Sequence, residues 1–355
     1  MNISRTLFTG NKPDEREITQ SMESRKAYNR IYFCVVVFLL ISLSVLGLLF
    51  GSVNISLSKL AEVILRRDTT SATYVILYSV RLPRVLASLL TGAGLGTAGV
   101  VLQSVLNNSL ASSNTIGVNS GAGFFVMLSL LIFPQNLAAK SLMAFIGAFL
   151  TSIFILCLAY FSERSRVTII LAGVTISSFL VAAMNTMKII DDNLVVNTLH
   201  FSIGSLSGVT MKNLLYPSAG IVIAVTLALI FSKALNILTL GDGTAHSLGL
   251  NVNLYRIFFI LISSALAGFV VSFSGLIGFV GLIIPHICRY FFRQDARLLL
   301  PASMLTGAVF VLAADLIGRV VFAPYEIPVG IILSLFGAPF FMYLLLRRGG
   351  KRVNA

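Results

Sequence analysis

Long apolar stretches alternate with shorter polar stretches along the chain from residue 31 to residue 346. Each apolar stretch is about as long as a helix must be to cross the roughly 30 Å hydrocarbon core of a bilayer. The apolar runs are continuous and do not alternate with polar positions, so the pattern favours helices over a β-barrel. The ten predicted spans cover residues 31–51, 83–104, 115–133, 138–161, 167–189, 214–232, 255–274, 276–290, 298–317 and 328–346.

The pattern therefore predicts an all-α polytopic membrane protein with about ten transmembrane helices. Residues 1–30 are polar and carry charges of both signs, so we expect them to form a cytoplasmic tail. Residues 31–348 form the predicted transmembrane domain, and residues 349–355 form a second tail. Between the fifth and sixth spans, residues 191–213 are predicted to be a polar connecting segment.

A polar, glycine-spaced loop at about residues 233–256 separates the sixth and seventh spans. In it, Asp242 can cap the first free N–H groups of a short helix, and Gly249 can take the left-handed conformation that ends one. Ala245 and Leu248 are three residues apart and should share one face of this helix. About two turns are too few to be stable alone in water, so we expect the helix to pack against another surface.

Composition and charge support a membrane protein and locate its two sides. The chain of 355 residues is 57% hydrophobic and 11% charged. Its net charge of +13 does not indicate a nucleic-acid-binding protein, because the basic residues punctuate the apolar spans instead of clustering on one module. With the N-terminus inside, 17 of the 26 Lys and Arg residues fall on the inner side. The positive-inside rule then predicts that both termini and the short-helix loop are cytoplasmic.

A group of basic residues between the first and second spans runs against this bias. The group consists of Lys59, Arg66, Arg67, Arg81 and Arg84, close to a short amphipathic helix predicted at residues 57–65. These side chains can extend to lipid headgroups, as long basic side chains do near helix ends. Alternatively they can dock an acidic partner outside the membrane, because the guanidinium group pairs with carboxylates in a bidentate manner.

Small and amide side chains mark the second span. Gly92 and Gly96 form a GxxxG pair, which allows two helices to approach closely, and a second glycine run includes Gly278. Gln103 and Asn107 lie at the end of the same span and could line a polar pathway. In the simpler alternative, Gln103 only forms a hydrogen bond to a neighbouring helix.

The sequence lacks the motifs of the commonest hydrolases and of ATP binding. It contains no GxxxxGK[ST], HExxH or GxSxG motif, and its three histidines and three cysteines show no metal-ligand spacing. Asp315 is the one acid placed well within a span, with Arg319 as its i,i+4 partner. Carriers driven by protons or sodium usually keep several acids at membrane depth. An intramembrane enzyme and a secondary transporter are therefore weaker alternatives. If this chain transports a substrate uphill, the energy must come from another protein.

Four segments of the chain carry distinctive motifs, namely RLPRVLASLLTGAGLGTAGVVLQSVLNNSLASSNTIGVNSGAG at 81–123, LGDGTAHSLGLN at 240–251, GLIGFVGLIIPHICR at 275–289 and PVGIILSLFGAPFFMYLL at 328–345. In this order they resemble the FecCD-type permeases, the membrane subunits of ATP-driven importers for iron–siderophore complexes, haem and cobalamin. The matching motif positions include Gly278, Pro285, His286 and Arg289 in the third segment and Pro328, Gly337 and Pro339 in the fourth. Where the family usually has N-P-L-A-x-P, serines 109 and 113 replace the prolines here.

This resemblance implies a type II ABC importer permease fold in a bacterial cytoplasmic membrane. It implies that two such subunits, identical or paralogous, enclose one translocation pathway between them and are surrounded by membrane lipid. Two cytoplasmic ATPase subunits would use ATP and Mg, and an extracytoplasmic protein would deliver the substrate. The chain itself would be neither an enzyme nor the holder of a metal or cofactor. An iron–siderophore complex is the expected cargo, moved by alternating access, with haem or cobalamin as the alternative.

The resemblance also assigns expected roles to individual residues. It favours docking of the binding protein over headgroup contact for Arg81, Arg84 and Arg319. It implies that Gln103, Asn107 and Asn108 belong to the translocation pathway. The expected ATPase-coupling residues are Leu240, Gly241, Asp242, Ala245, Leu248 and Gly249.

Overall fold

The structure, a computed structural model, is built from helices. It describes residues 15–51, 55, 56, 58, 62, 63, 71–113, 117–133, 136–161 and 166–349. The helices are α1 (Glu15–Leu49), α2 (Ala72–Val105), α3 (Val118–Ile132), α4 (Leu137–Phe161), α5 (Arg166–Ile190), α6 (Asn193–Ile203), α7 (Met211–Ile230), α8 (Ser232–Thr239), α9 (Asp242–Ser247), α10 (Val252–Ser274), α11 (Val280–Phe292), α12 (Ala296–Val320) and α13 (Val329–Gly349).

All ten predicted spans correspond to helices. Within the described residues, seven helices are long and apolar enough to cross a membrane, and α3, α11 and α13 contribute three shorter apolar segments. Helix α1 already begins at Glu15, within the segment predicted as a tail. The amphipathic helix predicted at 57–65 falls largely outside the described residues, as do Lys59, Arg66 and Arg67.

Helix α6 was not predicted, because its sequence lies in a stretch that was interpreted as a polar connection. Its buried residues are Leu194, Thr198 and Phe201. These positions are four and three apart, which is the spacing of one helical face. The pattern was therefore present in the sequence, although the neighbouring Asp, Asn and Ser residues obscured it.

Helix α2 forms the centre of the bundle and packs against α10, α11 and α12. A Cβ atom added at Gly92 would lie 2.0 Å from the carbonyl oxygen of Gly307, and one added at Gly96 would lie 2.4 Å from that of Ser303. One added at Gly99 would lie 2.1 Å from the carbonyl oxygen of Gly281. The backbones therefore meet directly, and the prediction that the GxxxG pair serves close helix packing is confirmed.

The start of α2 differs from the prediction, which placed the first turn of the span at Pro83. The helix instead begins at Ala72, where the Ser71 hydroxyl accepts a hydrogen bond of 3.1 Å from the Tyr74 N–H. It then widens into a π-helical segment at Ile76–Arg81 before the regular helix continues. This extension brings Arg81 against the end of α1.

Consecutive spans run in opposite directions, so the bundle has two ends. The arginine end holds the start of α2, the end of α12 and the 204–210 loop, where the Gly330 N–H donates a hydrogen bond of 3.0 Å to the Gly204 carbonyl. The short-helix end holds α8, α9 and the start of α12. There the Asn236 side-chain amide donates to Asp295 at 2.9 Å, which joins α8 to α12.

Candidate functional site

Four charged side chains form a largely buried cluster at the arginine end. Arg84 Nε donates to Asp315 Oδ1 at 3.0 Å, and Arg84 Nη1 lies 2.5 Å from Glu326 Oε2. Arg319 Nε forms an ion pair with Asp315 Oδ2 at 3.1 Å, although the geometry does not meet that of a hydrogen bond. This confirms the predicted i,i+4 pair of Asp315 and Arg319. We call these four residues the arginine cluster; it carries two positive and two negative charges.

Sequence reasoning missed Glu326. It also missed the link between Arg84 and Asp315, because these two residues are far apart along the chain.

The burial of the cluster explains why both acids are needed. The Arg84, Asp315 and Arg319 side chains are 6%, 1% and 3% exposed. Charges removed from water in this way must be paired, or the group that remains is strongly destabilising.

The three arginines predicted to dock an external protein are not on the surface. Arg81 Nη1 donates hydrogen bonds of 2.6 and 2.7 Å to the carbonyls of Leu48 and Leu49, which lie at the end of α1. Such carbonyls have no partner within their own helix. Arg319 Nη1 donates to the Gly47 carbonyl at 3.3 Å. The prediction of a docking surface made of Arg81, Arg84 and Arg319 is therefore wrong, because these side chains tie α1, α2 and α12 together.

At the other end of the molecule, α9 is the short helix predicted from the 233–256 loop. Gly241, with a φ of 101°, stands at its N-cap, and Asp242 is its first residue. The prediction placed the cap at Asp242, whereas Gly241 occupies the N-cap position and Asp242 stands in the first turn. The Asp242 carboxylate instead accepts a hydrogen bond of 2.7 Å from Arg256 Nη2 of α10.

The end of α9 follows the prediction for Gly249, which has a φ of 80°. The Gly249 N–H donates to the His246 carbonyl at 2.9 Å, and the Leu250 N–H donates to the Ala245 carbonyl at 3.1 Å. These two bonds form a Schellman motif, in which a left-handed residue terminates the helix.

The exposed surface at α9 differs from the predicted contact face. Ala245 is fully buried inside the chain, so it cannot contact another protein, and its prediction as a contact residue is wrong. Leu240 and Leu248, on either side of α9, are each 59% exposed. The buried alanine anchors the short helix, while the two leucines present an apolar surface.

Replacing Gly249 with alanine should loosen the end of α9, because an L-residue in the left-handed conformation costs about 1 kcal/mol. Hydrogen exchange of the backbone amides at positions 249 and 250 should accelerate about fivefold. Gly243→Ala is the matched control, since Gly243 is helical and an added Cβ meets no atom within 4 Å. Equal exchange in both variants would contradict the assigned role of Gly249.

Gln103 joins α2 to α11 in the middle of the short-helix end. Its Nε2 donates to the Gly281 carbonyl at 3.0 Å, and its Oε1 accepts a hydrogen bond from Arg289 Nη1. Gln103 therefore does bond a neighbouring helix, as the simpler alternative expected. The same contact places Arg289 beside a cavity.

This cavity, which we call the Gln103 cavity, has a volume of about 390 Å³. Asn107 is exposed at its edge with a φ of 46°, and the Asn108 Oδ1 accepts a hydrogen bond of 2.9 Å from the Leu110 N–H. The structure thus brings together the three predicted pathway residues. Its lining also includes Ser104, Ser109, Thr239, His286, Arg289, Tyr290 and Gln294.

The remaining motif residues lie in or beside helices α11 and α13. Pro285 is within α11, directly before His286, and Pro339 is within α13. Gly278 lies shortly before α11, and Pro328 lies directly before α13. A Cβ added at Gly337 would lie 2.5 Å from the Phe279 ring, so this glycine lets α13 pack close to the start of α11.

Among the described residues, no group of three or more His, Cys, Asp or Glu side chains is arranged to hold a metal ion. His200 lies near the arginine end, whereas His286 lines the Gln103 cavity and His246 lies in α9. Polar side chains of the described chain gather in the arginine cluster, in the Gln103 cavity, around α9 and in a second cavity that His200 lines.

Comparisons with known proteins extend over nearly the whole chain. The model of the FecCD transport family matches residues 38–347. The hemin transport system permease protein HmuU of Yersinia pestis is 37% identical over 322 residues, 89% of this chain and 96% of that protein. The Fe(3+)-citrate import system permease protein YfmE of Bacillus subtilis is 35% identical over 312 residues, 88% of this chain and 93% of that protein.

A solved structure is also similar across the fold. It is described as an inward-facing conformation of a metal-chelate type ABC transporter, and it matches with a TM-score of 0.79 and 30% sequence identity. The match covers 90% of this chain and 99% of that one. The ten-span architecture is therefore shared with a transporter.

Proposed function

Since this chain belongs to the FecCD transport family, we propose that it moves an iron–siderophore complex across the bacterial cytoplasmic membrane. In this proposal it is the membrane-spanning subunit of an ATP-driven importer, and ATP is hydrolysed with Mg in a separate subunit. The single observation that carries the proposal is the match of nearly the whole chain to the FecCD transport family, whose members include a permease of an Fe(3+)-citrate import system.

The surface around α9 is the proposed contact for the ATPase subunits. Leu240 and Leu248 are exposed there, whereas Ala245, Asp242 and Arg256 attach the short helix to the bundle. An exposed apolar pair in a polar loop is a typical recognition feature, because a partner groove can remove it from water. The bias of Lys and Arg residues supports a cytoplasmic position for this loop and for both termini.

The Gln103 cavity is the proposed inner part of the translocation pathway. With α9 in the cytoplasm, this cavity also faces the cytoplasm, because Thr239 lines it and ends α8, three residues before the start of α9. The similar transporter structure is described as inward-facing. We assign the present structure to the same inward-facing stage of an alternating-access cycle.

The proposed assembly contains a second permease subunit, two ATPases and an extracytoplasmic binding protein. Helix α5 leaves much of its apolar surface uncovered, as Phe179 at 71% and Ile189 at 83% exposure illustrate. Lipid or a second permease subunit would cover such surfaces. A binding protein would dock on loops of the arginine end without contributions from the three buried arginines.

Uptake by the purified, reconstituted complex tests this function. We expect proteoliposomes containing the permease with its ATPase and binding protein to accumulate a ⁵⁵Fe-siderophore complex only when ATP is supplied on the ATPase side. Permease alone in vesicles with a proton gradient should accumulate none. Uptake driven by the gradient without the ATPase would instead favour a secondary transporter.

Haem is the second candidate cargo, because the hemin permease of Yersinia pestis is 37% identical to this chain. Competition distinguishes the two cargoes. Unlabelled haem should leave ⁵⁵Fe-siderophore uptake unchanged if the complex is specific for siderophores. Direct, ATP-dependent accumulation of haem would replace the proposed substrate while leaving the transporter class intact.

A further inference from the structure

A second cavity, of about 160 Å³, lies at the arginine end. Its walls come from four helices: Lys140 and Ser141 of α4, residues 200–201 of α6, Asn213 of α7, and the end of α10. The loop of residues 205–209 closes one side. We call it the Lys140 cavity; no part of it belongs to the arginine cluster or to the Gln103 cavity.

Backbone hydrogen bonds fix the floor of the Lys140 cavity. The Leu276 N–H donates to the Phe201 carbonyl at 2.8 Å, and the Ser205 N–H donates to the Ser274 carbonyl at 2.9 Å. Gly275 has a φ of 69°, and a Cβ added there would lie 2.4 Å from the Phe201 carbonyl oxygen. The segment after α6 and the segment after α10 are therefore joined, so the cavity is a pre-formed feature.

Lys140 is the charged group of this cavity. Its ammonium nitrogen lies 5.7 Å from the centre of the Phe201 ring, which is within the range of a cation–π contact. In the parts of the chain that the structure describes, its Nζ has no ion pair or hydrogen bond, and no carboxylate lines the cavity. A half-buried ammonium that lacks an anion favours a negatively charged ligand.

The other polar groups around Lys140 suit an oxyanion. His200, Ser207 and Asn213 can each donate a hydrogen bond, and all three line the same cavity. Charge-assisted hydrogen bonds from an ammonium to a carboxylate are about twice as strong as neutral ones. The volume is well below the roughly 300 Å³ of a typical small-molecule pocket, so it fits one acidic group better than a whole ligand.

We propose that the Lys140 cavity binds a carboxylate group of an anionic ferric chelate as the chelate enters the permease. This inference rests on the proposed function, because the proposed cytoplasmic position of α9 places the arginine end on the outer side. It narrows the cargo from iron chelates in general to those that carry a free carboxylate. The cavity holds the acidic arm while the rest of the chelate remains in the wider pathway.

Direct binding of ⁵⁵Fe-citrate to the assembled transporter in phosphatidylcholine nanodiscs tests the proposal. Lys140→Gln should weaken binding about tenfold or more, since a hydrogen bond to a charged group is lost. Lys140→Arg keeps the charge and should bind within about threefold of the original protein. Lys212→Gln is the matched control: it removes the same charge from an exposed lysine at the start of α7 that does not line the cavity.

Three results would overturn the proposal. The first is no binding by the unaltered transporter, and the second is equal binding by the Lys140→Gln and unaltered proteins. The third is loss of ⁵⁵Fe-citrate binding when the nanodiscs contain phosphatidylglycerol in place of phosphatidylcholine, which would assign the cavity to a lipid phosphate. ATP-driven uptake of a carboxylate-bearing ⁵⁵Fe-siderophore by the same preparation reports on the proposed function separately, because uptake that persists without binding in the Lys140 cavity overturns only this inference.

Discussion

Leu248→Asp is expected to abolish ATP-driven uptake while leaving the permease inserted in the membrane. Leu248 is 59% exposed at the end of α9, so its replacement disturbs little within the chain. In the proposed complex the new carboxylate would be buried against the ATPase, where an unpaired charge is strongly unfavourable. We expect loss of the ATPase in co-purification and uptake lowered about a hundredfold.

Two variants make this result specific to the short helix. Leu248→Met conserves volume and apolar character and should keep most of the uptake. Leu254→Asp places the same charge on a leucine with similar exposure, 61%, in the first turn of α10. Normal uptake by Leu248→Asp, or equal loss in Leu254→Asp, would refute α9 as the coupling contact.

Asp315→Asn is expected to destabilise the folded permease by about 3–5 kcal/mol, the cost of breaking a buried ion pair. The change leaves Arg84 and Arg319 buried with Glu326 as the one remaining acid of the cluster. Thermal unfolding in detergent should show a lower midpoint, with a smaller monodisperse fraction after purification. The loss should appear equally in the absence of ATPase and substrate, since the cluster lies within the subunit.

Charge balance supplies the control for this experiment. Glu326→Gln removes a carboxylate that is 32% exposed and partly solvated, so it should destabilise less than Asp315→Asn. Asp315→Asn combined with Arg319→Met leaves one arginine and one acid, and should recover part of the lost stability. If the double variant is less stable than Asp315→Asn alone, unpaired charge is not the cause.

Patterns that are local in sequence were sufficient to predict much of this fold. The ten spans follow from continuous apolar runs, since a bilayer requires a minimum helix length. The Asp315–Arg319 pair follows from i,i+4 spacing, and the left-handed turn at Gly249 follows from the absence of a Cβ atom. In each case the physical cause lies within a few residues, so it is visible before any tertiary contact is known.

The functions of the arginines could not be predicted in the same way. Arg84 meets Asp315 across a separation of 231 residues, and Arg81 meets carbonyl groups of a different helix. A tally of Lys and Arg residues by membrane side treats each as a surface charge, and therefore cannot detect burial. Ala245 illustrates the same limit. Its spacing from Leu248 predicted one shared face, whereas Ala245 is fully buried and Leu248, at the C-cap of α9, is 59% exposed.

The Asp242–Arg256 ion pair has a mechanical consequence. It attaches α9 to the first turns of α10, a helix of 23 residues without an internal proline. At a rise of 1.5 Å per residue, α10 is a rod of about 35 Å, close to the full thickness of the hydrocarbon layer. Its far end, at Ser274, forms part of the Lys140 cavity. A displacement of α9 on one side of the membrane would therefore be transmitted along α10 to the Lys140 cavity at the opposite side.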